Sequence, residues 1–462
     1  MIYIVCSKLM KHKTKHKYFI VNNKLLRIVL AGHWGLTNFG DDLILETWLR
    51  FLNKFSQEHD LYIEVYVLTL DNRNVLNFYK LKGSLGKNIY VKFIEYKFPF
   101  MSLTSIYQIL LILLPVLARS NLVFLGGGGL INDYPRELMI HYLIIIALAK
   151  IMKCRVVLAG VGAEEFNSKI LRAICNHLLR LADLIVVRDN HTLFQFYNLG
   201  LKNIEKICDI SFLGERLWEE DIINTLSVQT NRKYIVLSLR AGEKYSEEYL
   251  RSFKELIRKI KSLLNCYLVY ANIRNDLRSL YCKIYDIIDE VWTYNSRELP
   301  SEYALHLMRR NIKLILSNRL HFLIIGLLRK MPIIALPSRW KKVEVFSKEF
   351  RVPLLRIPNS LYTSDGELEF AHNEMTIGWR YNLALSLRTR LESTLKNIIL
   401  DVLYSSVKYT GEVSTLLKAS IGFLSLLLYL LAVHLSSVLK NSIYVIQLLV
   451  RFKLIEFGQN NV

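Results

Sequence analysis

Short apolar segments alternate with longer segments of helical periodicity along most of the chain, and this alternation limits the fold more than any other feature. In the first half, the predicted strands are 25–31, 61–70, 88–94, 122–125, 155–159 and 184–187. In the second half, they are 234–239, 266–270, 291–293, 314–316 and 333–336. Strands that alternate with helices require crossover connections, which predict mostly parallel sheets in an α/β fold.

Helical periodicity fills most of the intervals between these strands. The predicted helices are 41–55, 105–118, 137–152, 168–181, 246–264 and 274–288. A polar stretch at 215–232 separates the two series and is interpreted as a linker. We therefore predict an N-terminal α/β lobe at 25–214 and a C-terminal α/β lobe at 233–400, both Rossmann-like, with a cleft between them.

Both ends of the chain differ from the two predicted lobes. Residues 1–24 form a basic tail, and residues 401–462 form a hydrophobic tail that we predict to be helical. Within the second tail, 419–439 carries no charged residue if His434 is neutral, a length that just crosses the apolar core of a bilayer. Three interpretations stay open: a hairpin lying in the membrane surface, a single membrane span, and buried or oligomer-forming helices.

The chain has 61 Lys and Arg residues against 40 Asp and Glu residues, a formal net charge of +21. This excess favours an anionic partner, which could be nucleic acid, a membrane surface or a small anionic substrate. No zinc finger, basic zipper or RNA-binding aromatic signature accompanies the charge. Nucleic acid is therefore the least favoured of the three partners.

The cysteines indicate a reducing compartment. They lie far apart, with neither a CxxC pair nor a Cys/His ligand spacing, at Cys6, Cys154, Cys175, Cys208, Cys266 and Cys282. This pattern predicts small buried thiols, with no disulfide framework and no metal site. The sequence also opens without a signal-peptide pattern, so we predict a cytoplasmic protein that the hydrophobic tail could attach to the inner face of a membrane.

Glycine-rich segments follow predicted strands of the N-terminal lobe. Residues 32–42 read GHWGLTNFGDD, which has the spacing of neither a dinucleotide fingerprint nor a P-loop. Here Asn38 and Asp41 are candidate ligand-binding residues, and Asp41 is the predicted N-cap of the next helix. A second turn is predicted at 160–162. Between them comes a run in which bare backbone can lie against a ligand, namely Gly126, Gly127, Gly128 and Gly129.

Cationic residues follow three of the predicted strands. Arg188 comes after 184–187, Arg240 after 234–239, and the sequence Arg319-Leu320-His321 after 314–316. Open α/β sheets bind ligands at the carboxyl ends of their strands. Arginine offers a permanent planar donor to carboxylate or phosphate, and histidine can move a proton near neutral pH. These residues therefore predict an anion site with an acid–base group beside it.

In their order along the chain, these motifs resemble the polysaccharide pyruvyl transferase family. The motifs are GHWGLTNFGDD, GGGGLIND, GVG, VVRD, SLR and SNRLH, followed by KKV at 341–343, and they cover about residues 26–346. The resemblance implies a GT-B-like fold and the transfer of a pyruvyl group from phosphoenolpyruvate to sugar hydroxyls, which forms a cyclic ketal. It implies no cofactor besides this donor substrate, and a glycan acceptor that could be lipid-linked.

The resemblance also implies roles for individual residues. Arg319, Leu320 and His321 match the Arg-Leu-His motif of the family, and Arg240 matches its strand-end arginine. We expect Arg240 and Arg319 to hold the donor, His321 to act as general acid or base, and the glycine-rich segments to face the acceptor or the cleft. The chain departs from the family pattern at three places: Asp42 replaces a glutamate, Asn132 replaces a glutamine, and a serine is missing after Asp189.

Two other functions stay open at this stage. The first is a GT-B glycosyltransferase that uses a nucleotide sugar, for which Glu344 and Glu349 are candidates, although solvated surface carboxylates are their simpler interpretation. The second is a non-catalytic glycan-binding or scaffold subunit, which would have no need for Arg240, Arg319 and His321 together. The sequence leaves the acceptor sugar and the oligomeric state undetermined.

Overall fold

Two α/β lobes and part of the C-terminal hydrophobic tail are described by a computed structural model of the chain. The described residues are 25–36, 38–71, 75, 78, 85–95, 109–132, 136–166, 168–214, 232–240, 245–273, 282–294, 299–308, 311–355, 373–404, 415–416 and 418–423. The basic tail 1–24, nearly all of the predicted linker and the stretch 424–462 therefore lie outside the described residues.

The described part of the N-terminal lobe contains a parallel sheet of seven strands. They are β1 Leu25–Ala31, β2 Tyr62–Thr69, β3 Ile89–Glu95, β4 Leu122–Ile131, β5 Arg155–Ala163, β6 Leu184–Val187 and β7 Ile204–Lys206. Their spatial order is β3-β2-β1-β4-β5-β6-β7, so the winding reverses between β1 and β4. Such a reversal leaves a crevice at the carboxyl ends of the two strands, where open α/β sheets bind ligands.

Helices cover both faces of this sheet. The helical elements are α1 Phe39–Glu58, a π-helical turn Ile109–Leu113 that leads into α2 Leu114–Arg119, α3 Arg136–Ile151, α4 Lys169–Leu179, α5 Asn190–Asn198 and a 3-10 turn Ile210–Leu213. Side chains of α1 and the 3-10 turn share one hydrophobic core with the C-terminal lobe. The helices α2 to α5 pack on the opposite face, which is the outer face of the lobe.

The C-terminal lobe repeats this winding on a smaller scale. Its described strands are β8 Lys233–Ser238, β9 Tyr267–Ile273, β10 Glu290–Tyr294, β11 Asn311–Ser317 and β12 Ile333–Ala335, in the parallel order β10-β9-β8-β11-β12. Its described helices are α6 Glu247–Leu264, α7 Cys282–Ile284 with a 3-10 turn Tyr285–Ile287, α8 Pro300–Met308, α9 Leu320–Leu328, α10 Lys341–Glu349 and α11 Glu374–Tyr404. The predicted architecture of two Rossmann-like lobes is confirmed.

Two of the three glycine-rich segments lie inside strands, so the prediction that they follow strand ends is wrong for these two, whereas Gly32 and Gly35 follow the end of β1 as predicted. β4 continues through all four glycines to Ile131, and β5 continues through Gly160 to Ala163. Gly127, Gly128 and Gly160 have φ angles of +83°, +82° and +65°. Glycine adopts these angles at little cost, so the strands can kink and still extend toward the cleft. Glycine is depleted in strands in general, and sequence reasoning therefore ended both strands too early.

Two smaller expectations also fail. In its described part, 282–288, the predicted helix 274–288 is only the short α7 followed by a 3-10 turn, and 274–281 lie outside the described residues. Cys282 is exposed, whereas Cys154, Cys175, Cys208 and Cys266 are buried as predicted. Cys6 lies outside the described residues.

Helices α1 and α11 hold the two lobes together. Phe39 at the start of α1 packs against Tyr294, Tyr303 and Phe322 of the C-terminal lobe, with ring centroids 5.2–5.6 Å apart. The long helix α11 crosses the predicted boundary at residue 400 and returns to the N-terminal lobe. It buries a stripe at helical spacing against the shared core, formed by Ala384, Leu391, Leu395 and Ile399. The two crevices therefore face each other at a fixed separation.

Among the described residues, no helix combines the length and the apolar character needed to cross a membrane.

Candidate active site

The candidate site lies between the lobes, at the carboxyl ends of the strands that flank the two winding reversals. Gly128 and Gly129 of β4 face this site. A Cβ atom added to Gly128 would lie 2.9 Å from Oδ1 of Asp41, and one added to Gly129 would lie 4.0 Å from Nη2 of Arg188. Gly126 and Gly127 instead pack against protein, since added Cβ atoms would meet Trp48 and Ile44 of α1. Only the second half of the predicted glycine run is therefore placed to contact a ligand.

Asn38, and not Asp41, is the N-cap of α1. The side-chain oxygen of Asn38 accepts a hydrogen bond from the backbone N–H of Gly40 at 3.4 Å. Its Nδ2 atom donates to Oδ2 of Asp41 at 2.5 Å. Because the helix begins two residues earlier than predicted, the carboxylate of Asp41 belongs to the first turn and is directed toward Gly128.

Arg188 lies buried across the ends of β4, β5 and β6. Its Nε atom is 3.2 Å from Oδ2 of Asp189, and its Nη1 atom is 3.5 Å from Oδ2 of Asp209. A Cβ atom added to Gly162 would come within 2.7 Å of its Cζ atom, so the guanidinium occupies the space that this glycine leaves. Asp189 also accepts a hydrogen bond from the backbone N–H of Thr192 at 2.7 Å and so caps the next helix, α5.

His321 lies at the start of α9, where its imidazole rests against α1 of the other lobe. A Cβ atom added to Gly40 would overlap the ring, so glycine is the residue that leaves room for it. The Nε2 atom of His321 lies 3.8 Å from Oδ1 of Asp209, and the two side chains are 11% and 3% exposed. The imidazole is therefore held between the lobes, beside a buried carboxylate.

Asp209 connects the histidine to Arg188, and sequence reasoning did not select it. Its Oδ1 atom accepts hydrogen bonds from the backbone N–H and the hydroxyl of Ser211, at 3.0 and 2.9 Å. Burial by itself would raise the pKa of the Asp209 carboxyl, but His321, Arg188 and Ser211 together hold this pKa below its ordinary value. The carboxylate is thus ionised at neutral pH and can orient the imidazole.

Asn318 joins the ends of β8 and β11, where the candidate donor-binding residues Arg240 and Arg319 lie. The backbone N–H of Arg240 donates to Oδ1 of Asn318 at 2.7 Å, and Nδ2 of Asn318 donates to the hydroxyl of Tyr245 at 2.9 Å. The Nε atom of Arg319 donates to the carbonyl oxygen of Leu239 at 3.1 Å. Burial lowers the pKa of Arg319 to about 10, which leaves it charged at neutral pH.

Lys342, at the start of α10, is a second residue that the sequence analysis did not select. Burial and the positive charges of Arg240 and Arg188 lower its pKa to about 7, against the opposing effect of Asp41 and Glu164. Charges from both lobes therefore act on this one ammonium group. The resemblance over KKV at 341–343 was the signal that could have identified it.

Uncharged polar groups lie on the N-terminal side of the site. The rings of His33 and Tyr142 are 5.4 Å apart. Burial lowers the pKa of His33, lowers that of His141 to about 3, and raises that of Tyr142, so all three are neutral at pH 7. Nε2 of His33 and the hydroxyl of Tyr142 have no hydrogen-bond partner within the described part of the chain.

A pocket of about 340 Å³ opens beside the His321–Asp209 pair. Its polar end is formed by Arg188, Asp209 and Lys342, and Leu320 contributes to its apolar wall. Glu349 also lines it and forms an ion pair with Lys206 of the other lobe. Burial raises the pKa of Glu349, so its interpretation as a solvated surface carboxylate is wrong.

Asp42, one of the departures from the family pattern, lies at the lobe interface and not in the site. The hydroxyl of Tyr294 donates to its Oδ2 atom at 3.0 Å. Burial raises the pKa of Asp42 well above its ordinary value, against the opposing effect of the Tyr294 hydrogen bond. One turn later on α1, Glu46 accepts a hydrogen bond from the backbone N–H of Ser301 at 2.8 Å.

A comparison with models of protein families shows to which family this chain belongs. A sequence model of polysaccharide pyruvyl transferases matches residues 38–338, which contain every site residue named above except His33, Lys342 and Glu349. The chain belongs to the polysaccharide pyruvyl transferase family. A comparison with curated proteins found no match.

Solved structures with the same architecture include two UDP-N-acetylglucosamine 2-epimerases. The enzyme from Neisseria meningitidis, solved with UDP-GlcNAc, has 12% identity and a TM-score of 0.53 over 82% of this chain and 99% of its own. The enzyme from Methanocaldococcus jannaschii has 14% identity and a TM-score of 0.51 over 82% of this chain and 100% of its own. At this identity the likeness shows the fold alone, which is GT-B.

Proposed function

We propose that this pyruvyl transferase family member transfers a pyruvyl group from phosphoenolpyruvate to two hydroxyls of a sugar and forms a pyruvate ketal. One observation carries the proposal: cations from both lobes act on one another beside a histidine–carboxylate pair. These are Arg188 from the N-terminal lobe and Arg240, Arg319 and Lys342 from the C-terminal lobe. Positive charges that repel each other in a buried site favour a multiply charged anion.

Phosphoenolpyruvate presents a carboxylate and a phosphate on a three-carbon skeleton, so it requires several cations close together. Arg240 and Arg319 stand at neighbouring strand ends, and Lys342 lies within the influence of Arg240. Arg188 is balanced by Asp189 and Asp209. We therefore assign the donor to Arg240, Arg319 and Lys342 of the C-terminal lobe, in which the charge of Arg240 acts on both of the others.

The reaction requires proton movements that His321 is placed to perform. The first sugar hydroxyl forms a bond from its oxygen to C2 of the donor, and the methylene carbon gains a proton to become a methyl group. The C2–O bond to phosphate then breaks, and the second hydroxyl bonds to C2. One of the two hydroxyl protons ends on the methyl group, and the other leaves with phosphate. His321, oriented by Asp209, would carry the proton as general acid and base.

The neutral polar groups of the N-terminal lobe suit the sugar acceptor. His33 and Tyr142 offer uncharged hydrogen-bonding atoms and ring faces, and Asp41 offers a carboxylate beside Gly128. Sugar hydroxyls both donate and accept hydrogen bonds, so this combination can hold them without attracting the anionic donor. We propose a glycan acceptor on this side, which can be lipid-linked.

The proposed donor is tested by thermal unfolding with phosphoenolpyruvate and, separately, with UDP-GlcNAc. A ligand that binds the native state raises Tm by mass action. We expect phosphoenolpyruvate alone to raise it, and Arg240→Gln to abolish most of the shift. Arg251→Gln, on the exposed face of α6, is the matched control and should keep the wild-type response. A shift with UDP-GlcNAc only would replace the proposal with nucleotide-sugar chemistry.

The pKa of Lys342 predicts a pH dependence for donor binding. Because this pKa is about 7, the lysine loses its charge as the pH rises through neutrality. Well above pH 7, KM for phosphoenolpyruvate should rise about tenfold per pH unit, since only the protonated fraction binds. Steady-state kinetics between pH 6 and 9 measure this rise. Lys342→Arg keeps its charge over the whole range, and its KM should stay flat.

A wild-type KM that does not change between pH 7 and 9 would remove Lys342 from the donor site. The free energy of unfolding provides an independent check, because it should rise with pH while donor binding weakens. Between about pH 7 and 10, the unfolded chain binds a proton at Lys342 that the folded chain does not, so the free energy of unfolding should rise with pH. Lys342→Arg should lack this rise.

A further inference from the structure

The hydrophobic C-terminal tail begins on the outer face of the N-terminal lobe. The carbonyl oxygen of Lys418 lies 2.9 Å from Nε2 of His177 on α4. Ala419 is fully buried in the core of that face, and a Cβ atom added to Gly422 would lie 2.8 Å from the His177 ring. The chain therefore reaches Phe423 while packed against α4.

The sequence that follows is apolar and ends in basic residues. No Asp, Glu, Lys or Arg stands between Lys418 and Lys440, and further cations follow at Arg451 and Lys453. We call 424–439 the apolar stretch.

Helix α4, on which 418–423 packs, carries exposed basic and aliphatic groups. It contains no acidic residue, Lys169 and Arg172 on it are exposed, and so is Arg180 directly after it; the exposed Glu165 lies four residues before its start. Ile170 at its start is 62% exposed, and Ile421 in the docked segment is 49% exposed. Basic and aliphatic side chains side by side are typical of surfaces that lie on anionic membranes.

We propose that this outer face, formed by α4 and 418–423, docks on a bilayer that contains anionic lipid, with the apolar stretch inserted beside it. Insertion of apolar residues and attraction to lipid charge each give weak binding, and the two together give stable attachment. The proposal does not depend on the donor or the acceptor of the enzyme.

The test is co-sedimentation of the full-length protein with phosphatidylcholine vesicles, with and without phosphatidylglycerol. We expect binding to the anionic vesicles and weaker binding to the neutral ones. The triple variant Lys169→Gln, Arg172→Gln, Lys418→Gln should reduce partitioning to anionic vesicles by roughly 100-fold, since each charge near such a surface contributes separately. The matched control removes three exposed charges from the other lobe, Lys233→Gln, Arg251→Gln and Lys259→Gln, and should bind as the wild type does.

A second variant tests the inserted stretch. Leu427→Glu with Leu431→Glu should release the protein from both kinds of vesicle while circular dichroism and the donor-induced Tm shift stay unchanged. Equal loss of binding in the two triple variants would overturn the proposed face, because net charge alone would then govern attachment. The wild type could instead fail to bind vesicles and form dimers in their absence. If the Leu427→Glu, Leu431→Glu variant were then monomeric, the face would be assigned to a second copy of the chain.

Discussion

His321→Ala should lower kcat by about 10²–10⁴-fold, the usual contribution of a positioned acid–base group. The side chain is held between Gly40 and Asp209 and belongs to no hydrophobic core, so its loss leaves the lobes packed. The donor is assigned to Arg240, Arg319 and Lys342, and its affinity should be kept. Phosphate release from phosphoenolpyruvate in the presence of acceptor measures kcat, and the Tm shift with the donor measures binding.

The matched control for this variant is His59→Ala, at the exposed end of α1. It removes an exposed histidine at the opposite end of the helix from Gly40, and it should leave kcat unchanged. A His321→Ala enzyme that loses the donor-induced Tm shift would make His321 a binding residue. One that keeps wild-type kcat would exclude it from proton transfer altogether.

Asp209→Ala should lower the free energy of unfolding by about 3–5 kcal/mol, the effect of removing one partner from a buried ion pair. Arg188 would lose one of its two ion-pair carboxylates and keep Asp189, and Ser211 would lose the acceptor of two hydrogen bonds. Urea unfolding at pH 7 measures this difference. The variant should also lose kcat, because the imidazole of His321 is no longer oriented.

The matched control is Asp286→Ala, which removes an exposed carboxylate that pairs with Lys254 and Arg258. Exposed pairs of this kind contribute about 0–1 kcal/mol, so this variant should unfold close to the wild type. Unfolding of Asp209→Ala at the wild-type urea midpoint would show that the network does not stabilise the fold.

The lowered pKa of Asp209 should also make the free energy of unfolding depend on pH. A carboxyl group whose pKa is lower in the folded chain stabilises the protein above its unfolded pKa of about 4, and this stabilisation is lost as the pH falls toward the folded value. The wild type should therefore lose stability on acidification below about pH 4 more steeply than Asp209→Asn. A shifted pH profile of kcat in Asp209→Asn would separate its effect on His321 from its effect on folding.

The sequence alone determined the two lobes, strands β1 to β6 and β8 to β12, and the strand-end residues Arg188, Arg240, Arg319 and His321, whereas it missed the short strand β7. These features follow from local pattern, because apolar periodicity decides where strands and helices form and a parallel α/β sheet places strand ends at one edge. The family follows from the order of the motifs, which is a property of the chain and not of any single contact.

Tertiary structure decided the rest of the site. Asp209 and Lys342 take their roles from groups distant in sequence: Arg188 and His321 act on the first, and Arg240 and Arg188 act on the second. Their pKa values depend on burial and on charges that meet only when the lobes close, which no local pattern encodes. The glycines of β4 are a second case. The sequence predicted that they follow a strand, and their place inside β4 is explained only by a tertiary contact, the approach of Asp41 to Gly128.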